Sequence, residues 1–158
     1  LDFQNALIDG QKIGLYTKHD DDKELYHAML RALANATIDY TEFFRKLSRY
    51  KGNKSDILDI SVYRQPLDAW LDRYSNRLEK ETLSEAARHE KMLAVNPKYI
   101  LKNHILQEAI DKAEEHNFEM VNELLEVALA PFDEHPKLEH LCKPTPMTSK
   151  NIKLSCSS

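Results

Sequence analysis

The sequence predicts an all-α protein: a single orthogonal or bundle-like domain of about five to seven helices, followed by an extended C-terminal tail. Three observations carry that expectation. Only three glycines occur, Gly10, Gly14 and Gly52, where average usage would place about eleven in a chain of this length. Apolar residues recur at three- and four-residue spacing along most of the chain. Capping residues and prolines stand where those apolar runs begin and end. At 158 residues and 42% hydrophobic content the chain is long enough for one sizeable core.

Taken in order, Asp2 to Ile8 is expected as a short helix, with Gly10 and Gly14 framing a turn into Leu15. From Lys23 to about Ala36, Leu25, Met29, Leu30 and Leu33 follow helical spacing, and Asp20, Asp21 and Asp22 suit the cap and the positive end of the helix dipole. Asp39-Tyr40-Thr41-Glu42 has the form of a capping box, opening a helix that buries Phe43, Phe44, Leu47 and Tyr50 before Gly52 stops it. Lys51 to Ser55 reads as a polar loop. Pro66 suits the first turn of a helix whose Leu67, Trp70, Leu71, Tyr74 and Leu78 form one stripe, so the tryptophan is expected in the core.

Thr82-Leu83-Ser84-Glu85 is a second capping box, with its helix running to about Val95. Asn96-Pro97 supplies an N-cap with proline at the first helical position, which predicts a helix through about Glu115 with Leu101, Ile105, Leu106, Ile110 and Ala113 buried. His116-Asn117 breaks it. Phe118, Val121, Leu125 and Ala128 form the stripe of the next helix, ended by Pro131, and the two helices make an αα-hairpin. The helical domain is thus expected over 1–131. Pro131, Pro136, Pro144 and Pro146 interrupt any further periodicity, so 132–158 reads as an extended tail ending in Cys156-Ser157-Ser158, with one short helical turn near Lys137 to Leu141.

Composition also excludes function classes. With 22 Lys+Arg against 26 Asp+Glu the net charge is -4 and no basic stripe is present, which argues against a nucleic-acid partner. The longest apolar runs, such as Val127 to Ala130, are far short of the roughly 20 residues of a membrane span. Leu1 stands where a start methionine would, which reads as the edge of a longer chain, and the residues after it lack the basic and apolar regions of a signal peptide. Cys142 and Cys156 are too few for a disulfide framework, so the expected compartment is the cytoplasm.

No catalytic, cofactor-binding or metal-binding residue is assigned. The three glycines cannot be arranged into a phosphate-cradling loop. His89-Glu90 is followed by Leu93 where a zincin needs histidine. Asp20 to Asp22 read as a solvated helix start, and His135, His140 and Cys142 lack a convincing fourth ligand. His104 is expected as a partner-bonded residue at the core edge. Cys156, followed by two serines, is expected on a short polar end where a thiol is accessible to redox exchange, and the plainer reading of its position is an inconsequential exposed thiol.

Several segments together resemble the C-terminal region of the selenoprotein O family, also called the YdiU family. Asn96-Pro97-Lys98-Tyr99-Ile100-Leu101-Lys102-Asn103 is similar to that family's NPKYxLRN segment, with Lys102 in place of the usual arginine. Gln107-Glu108-Ala109-Ile110, Leu124-Leu125-Glu126-Val127 and Pro131-Phe132-Asp133-Glu134 resemble its QxAI, LLEVL and PFDEQP elements, with His135 replacing the usual glutamine. Lys12-Ile13-Gly14-Leu15, Asp39-Tyr40-Thr41 with Phe44-Arg45, Trp70 with Arg77-Leu78, and the terminal Cys-Ser-Ser also fit.

The resemblance implies a pseudokinase-fold protein that transfers AMP from ATP to Ser, Thr or Tyr hydroxyls of proteins, using Mg or Mn. In such proteins the nucleotide and metal sites lie in a kinase-like region upstream of the matched segment, so this segment is expected to be supportive or regulatory, with that region and the protein substrates as partners. A mitochondrial location is implied if the source is eukaryotic. Cys156 aligns with the place where several eukaryotic members carry selenocysteine, which implies a redox role through a bridge to a cysteine elsewhere. Lys153 rules out a local C-x-x-C pair. The alternative from another class is a helical interaction module that recruits substrates or partners, which predicts an exposed apolar groove.

Overall fold

Helices follow the apolar spacing along most of the chain. The computed structural model describes residues 10–144, so the helix expected over Asp2 to Ile8 and the thiol of Cys156 lie outside the described residues. After a 3-10 turn at Gln11–Ile13 come α1 (Asp22–Ala36), α2 (Tyr40–Leu47), α3 (Ser55–Leu58), α4 (Arg64–Leu78), α5 (Glu85–Val95), α6 (Asn103–Glu114) and α7 (Glu119–Leu129), then a 3-10 segment, Pro136–Cys142. Among the described residues there is no strand, and the protein is all-α. The chain divides into two compact units, Leu1–Asn96 and Pro97–Ser158. The boundary expected at 131 falls inside the second of these.

In the first unit α1 packs along α4. The stripe read from the sequence is buried: Leu67, Trp70, Leu71 and Tyr74 meet Leu25, Met29 and Leu33 of α1 and Phe43, Phe44 and Leu47 of α2. Burying each such side chain contributes about 1.5–3 kcal/mol. The Trp70 indole stacks on Tyr74 at 4.9 Å, and its Nε1–H donates to the Leu25 carbonyl at 2.8 Å, so the polar end of a buried aromatic is satisfied. Asp39 caps α2 by accepting from Glu42 N–H at 3.0 Å. For α5 the cap is Ser84, which accepts from Ala87 N–H at 3.3 Å, two residues later than the box beginning at Thr82. The stretch read as polar loop turns helical at Ser55, where Ile57 enters the core.

The second unit is built on the α6/α7 hairpin. His116 turns the chain with φ 64, and Asn117 Oδ1 accepts from Glu119 N–H at 3.1 Å to open α7. Two sequence expectations change here. The predicted helix start at Asn96-Pro97 is instead loop, and α6 begins at Asn103. The N–H groups of Lys98 and Tyr99, which a helix beginning there would leave to its cap, both donate to the Pro131 carbonyl at 2.8 and 3.1 Å.

The second change concerns α7. Its buried face is Met120, Leu124 and Val127, packed with Ile105 and Ala109 of α6 and with Tyr99, Leu138 and Leu141. Phe118, Val121, Leu125 and Ala128, the stripe chosen from sequence, face outward. Helix α7 carries two apolar stripes, and periodicity alone does not say which one its neighbours cover. Leu101, expected buried, is also exposed. The proline-containing segment after α7 contributes Leu138 and Leu141 to this core through its 3-10 turns, which extend the short turn expected near Lys137.

Candidate functional site

In the first unit the polar residues of interest converge on backbone. Arg77 is 5% exposed. Its Nε lies 2.5 Å from Asp22 Oδ1, its Nη1 2.8 Å from Glu81 Oε1, and its Nη2 donates to the Thr17 carbonyl at 2.7 Å. Glu81 in turn accepts from the N–H groups of Tyr16 and Thr17 and, at 2.6 Å, from Thr17 Oγ1. Burial pushes the Asp22 and Glu81 carboxyls up. Hydrogen bonds outweigh it, from Arg77 and the His19 N–H for Asp22, and from Thr17, Tyr16 and Arg77 for Glu81, and both end below the ordinary carboxylate range. Of the acidic triplet, Asp22 is therefore the counter-ion of a buried guanidinium.

A second knot holds α5 against the N-terminal turn. Asn96 is 1% exposed. Its Nδ2 donates to the Lys12 carbonyl at 2.8 Å and to Ser48 Oγ at 2.9 Å, and Ser48 Oγ donates onward to Phe44 O at 2.7 Å. Asn96 does not cap a helix: its NH2 group is held by two acceptors far away in sequence, and its Oδ1, the atom a cap would use, is buried without a hydrogen-bond partner. Arg45 donates to the carbonyls of Leu93 and Asn96 at 3.2 and 3.0 Å. Arg88 reaches the Tyr50 carbonyl at 3.1 Å, and the Tyr74 hydroxyl donates to Ile13 O at 2.7 Å. Gly14 sits between these groups at φ +71, where an added Cβ would stand 2.6 Å from Met92 Sδ. Only glycine meets both conditions.

Beside the Arg77 knot is a cleft of about 570 Å³ lined by Gly10, Ile13, Leu15, Thr17, His19, Tyr26 and His27, with Lys18 and Lys23 also on its wall. The Tyr26 hydroxyl is buried without a hydrogen-bond partner, and burial pushes its pKa up to about 12.

In the second unit Lys98 Nζ pairs with Glu134 at 2.5 Å and with Glu139. The Tyr99 hydroxyl donates to the His135 carbonyl at 3.1 Å, and its ring meets the imidazole edge-on at 5.2 Å. His135, His140 and Cys142 do not converge. His135 turns to Glu126 and Ala130, His140 to Glu123, and the Cys142 thiol donates to the Glu139 carbonyl. Burial, then the nearby Glu139 carboxylate, pushes the Cys142 thiol up, away from the reactive thiolate. His104, expected to be partner-bonded, has a buried Nδ1 with no partner. Among the described residues no group of three His, Cys, Asp or Glu side chains is arranged to hold a metal ion, and no helix is long and apolar enough to cross a membrane.

Sequence reasoning missed the roles of Arg88, Lys98 and Tyr99. Their signal is weak: an arginine and a lysine at the edge of apolar stripes read as ordinary surface charge until the carbonyls and carboxylates they reach are known.

The family profile described as Protein adenylyltransferase SelO matches residues 3–129. Proteins described as Protein nucleotidyltransferase YdiU are similar along nearly the whole chain. The one from Aliivibrio salmonicida is 41% identical over 149 residues, covering 94% of this chain and 31% of the relative. That from Ralstonia nicotianae is 38% identical over 154 residues, 93% of this chain and 29% of the relative, and that from Myxococcus xanthus is 38% identical over 151 residues, with 93% and 31% covered. The chain thus spans about a third of the length of these relatives. With the Asn96 and Arg77 knots and the whole α6/α7 hairpin inside the matched stretch, the chain belongs to the SelO/YdiU family.

Proposed function

We propose that this chain is the helical supporting portion of a protein adenylyltransferase. The transfer of AMP from ATP to Ser, Thr or Tyr hydroxyls of protein substrates, with Mg or Mn, belongs on this reading to a kinase-like region of the longer family protein. One observation supports the division of labour. Arg45, Arg77 and Asn96, among the side chains that carry the family resemblance, donate to carbonyls and carboxylates of this chain, and Gly14 makes room for α5. They serve the architecture of the segment. Cys156, by the same resemblance, is proposed as a redox thiol that bridges to a cysteine elsewhere in the longer protein. Mass spectrometry of that protein without reductant is expected to find Cys156 in a disulfide, and finding it always free would overturn the bridge.

Calorimetric titration of the 158-residue chain with ATP and magnesium tests the main reading. No heat of binding is expected, and micromolar affinity would refute it. A second reading, recruitment of protein substrates, is favoured by the outer stripe of α7: Phe118, Val121, Leu125 and Leu129 are 40–78% exposed, a larger apolar row than a solvated helix face needs. In a chimera carrying this chain in place of the matching third of the Aliivibrio salmonicida relative, Leu125→Glu with Leu129→Glu separates the two. Loss of protein modification with unchanged ATP binding would favour recruitment.

A further inference from the structure

Both ring nitrogens of His135 face acceptors. Nδ1 lies 3.2 Å from Glu126 Oε1, on α7, and Nε2 lies 3.0 Å from the Ala130 carbonyl just beyond it. A neutral imidazole carries one N–H and one lone pair, so in either tautomer one of these oxygens would face a lone pair. Only the imidazolium donates to both.

The ring has little freedom to turn away. Its side chain is 12% exposed and packs edge-on against Tyr99. The backbone is fixed as well: His135 N–H donates to the Tyr99 hydroxyl at 3.3 Å, and its carbonyl accepts from that hydroxyl at 3.1 Å and from Leu138 N–H at 2.8 Å.

The groups that face the ring are Glu126 from α7, Asp133 and the Ala130 carbonyl from the turn after it, and Tyr99 from the loop before α6. Lys98, next to Tyr99, is drawn aside by Glu134 and Glu139. The surroundings are thus acidic. The Ala130 carbonyl is the main influence that raises the His135 pKa; partial burial opposes it, and Glu126 and Asp133 add to it. Within the 3-10 segment, His140 Nε2 lies 3.4 Å from Glu123 Oε2, a second histidine on a second glutamate of α7.

We infer that His135 is a proton-operated latch that holds the 3-10 segment Pro136–Cys142 against α7, closed when the imidazole is protonated and loosened when it is neutral. The segment held in this way buries Leu138 and Leu141 and half-covers the Cys142 thiol. Because the folded-state pKa is raised, the hold is fully present below the unfolded histidine value of about 6.5 and is lost as pH rises through the folded value.

The test uses the whole 158-residue chain. Nitrogen-15 spectra of the His135 ring are recorded from about pH 5 to 9, together with amide exchange at 137–142 corrected for intrinsic rates. Both ring nitrogens are expected to be protonated at the acid end, with a midpoint above about 6.5. Protection of the segment is expected to fall about three- to tenfold across that midpoint. His135→Gln, which keeps an N–H donor and does not titrate, is expected to remove the pH response. A midpoint at or below the ordinary value, or the same pH response in His135→Gln, overturns the latch. Should His135→Gln lose protection at every pH, Glu126→Gln decides: it must lower the His135 midpoint, and an unchanged midpoint overturns the proposal.

Discussion

The two units hold their polar groups in opposite ways. In Leu1–Asn96, beside surface pairs such as Arg31–Glu24, two arginines turn inward: Arg77 and Arg88 are 5% and 6% exposed and bond to carboxylates and backbone carbonyls around an aromatic core. In Pro97–Ser158 the closing segment is fastened nearer the surface, by Lys98 between two glutamates and by His135 and His140 against α7. The difference teaches where specificity and adjustability reside. A buried guanidinium with two carboxylates admits one arrangement and is costly to break. A rim of partly exposed pairs contributes little per contact and answers to pH.

The sharpest way to break the comparison is in the first core. Trp70→Ala removes the stacked indole and the Leu25 contact, and a loss of about 3–5 kcal/mol is expected in urea unfolding of the first unit, followed by circular dichroism. Arg77→Met comes next. It strands Asp22 and Glu81 without their cation, at an expected cost of about 3 kcal/mol or more. The double variant with Glu81→Met is expected to lose less than the sum of the single changes, because one stranded charge is gone. Gly14→Ala meets both the positive φ and the Met92 sulfur, for about 1–3 kcal/mol by the same measurement. Lys98→Met is the smallest, about 0.2–1 kcal/mol, read as amide exchange in the second unit. A loss as large as that of Arg77→Met would erase the distinction between the units.

The pH responses sharpen it further. Asp22 and Glu81 have folded-state values below their unfolded ones. Their contribution is present above about pH 4, the ordinary carboxylate value, and is lost as pH falls through the depressed values. The His135 contribution runs the other way. Trp70 is the single tryptophan and lies in the first unit, so its fluorescence follows the acid limb. Unfolding midpoints of the first unit are expected to drop on the acid side, while protection of the segment after α7 drops on the alkaline side.

Much of the helix content was legible because capping and periodicity are local. Asp39 does cap α2, Pro66 does stand in the first turn of α4, and the Trp70 stripe is buried. What failed was long-range. Asn96-Pro97 has every local mark of a helix start, yet the Asn96 amide is claimed by Lys12 and Ser48, far away in sequence. In α7 two stripes fit the same period, and the choice of Met120, Leu124 and Val127 was made by Leu138 and Leu141, in a segment read as tail. The candidate site shows the same limit. That Asp22 pairs with Arg77 and that His135 has acceptors on both nitrogens are facts of tertiary contact, with no periodic trace in the sequence.

The single carbonyl of Pro131 that accepts from both Lys98 and Tyr99 has an architectural consequence. It ties the strand of chain entering the α6/α7 hairpin to the one leaving it, so the hairpin is closed at its base independently of its tip. The tip at His116-Asn117 is exposed. Residues inserted there lengthen a closed loop without moving its ends, which makes this the natural place to accept a tag, a reporter or an evolutionary insertion.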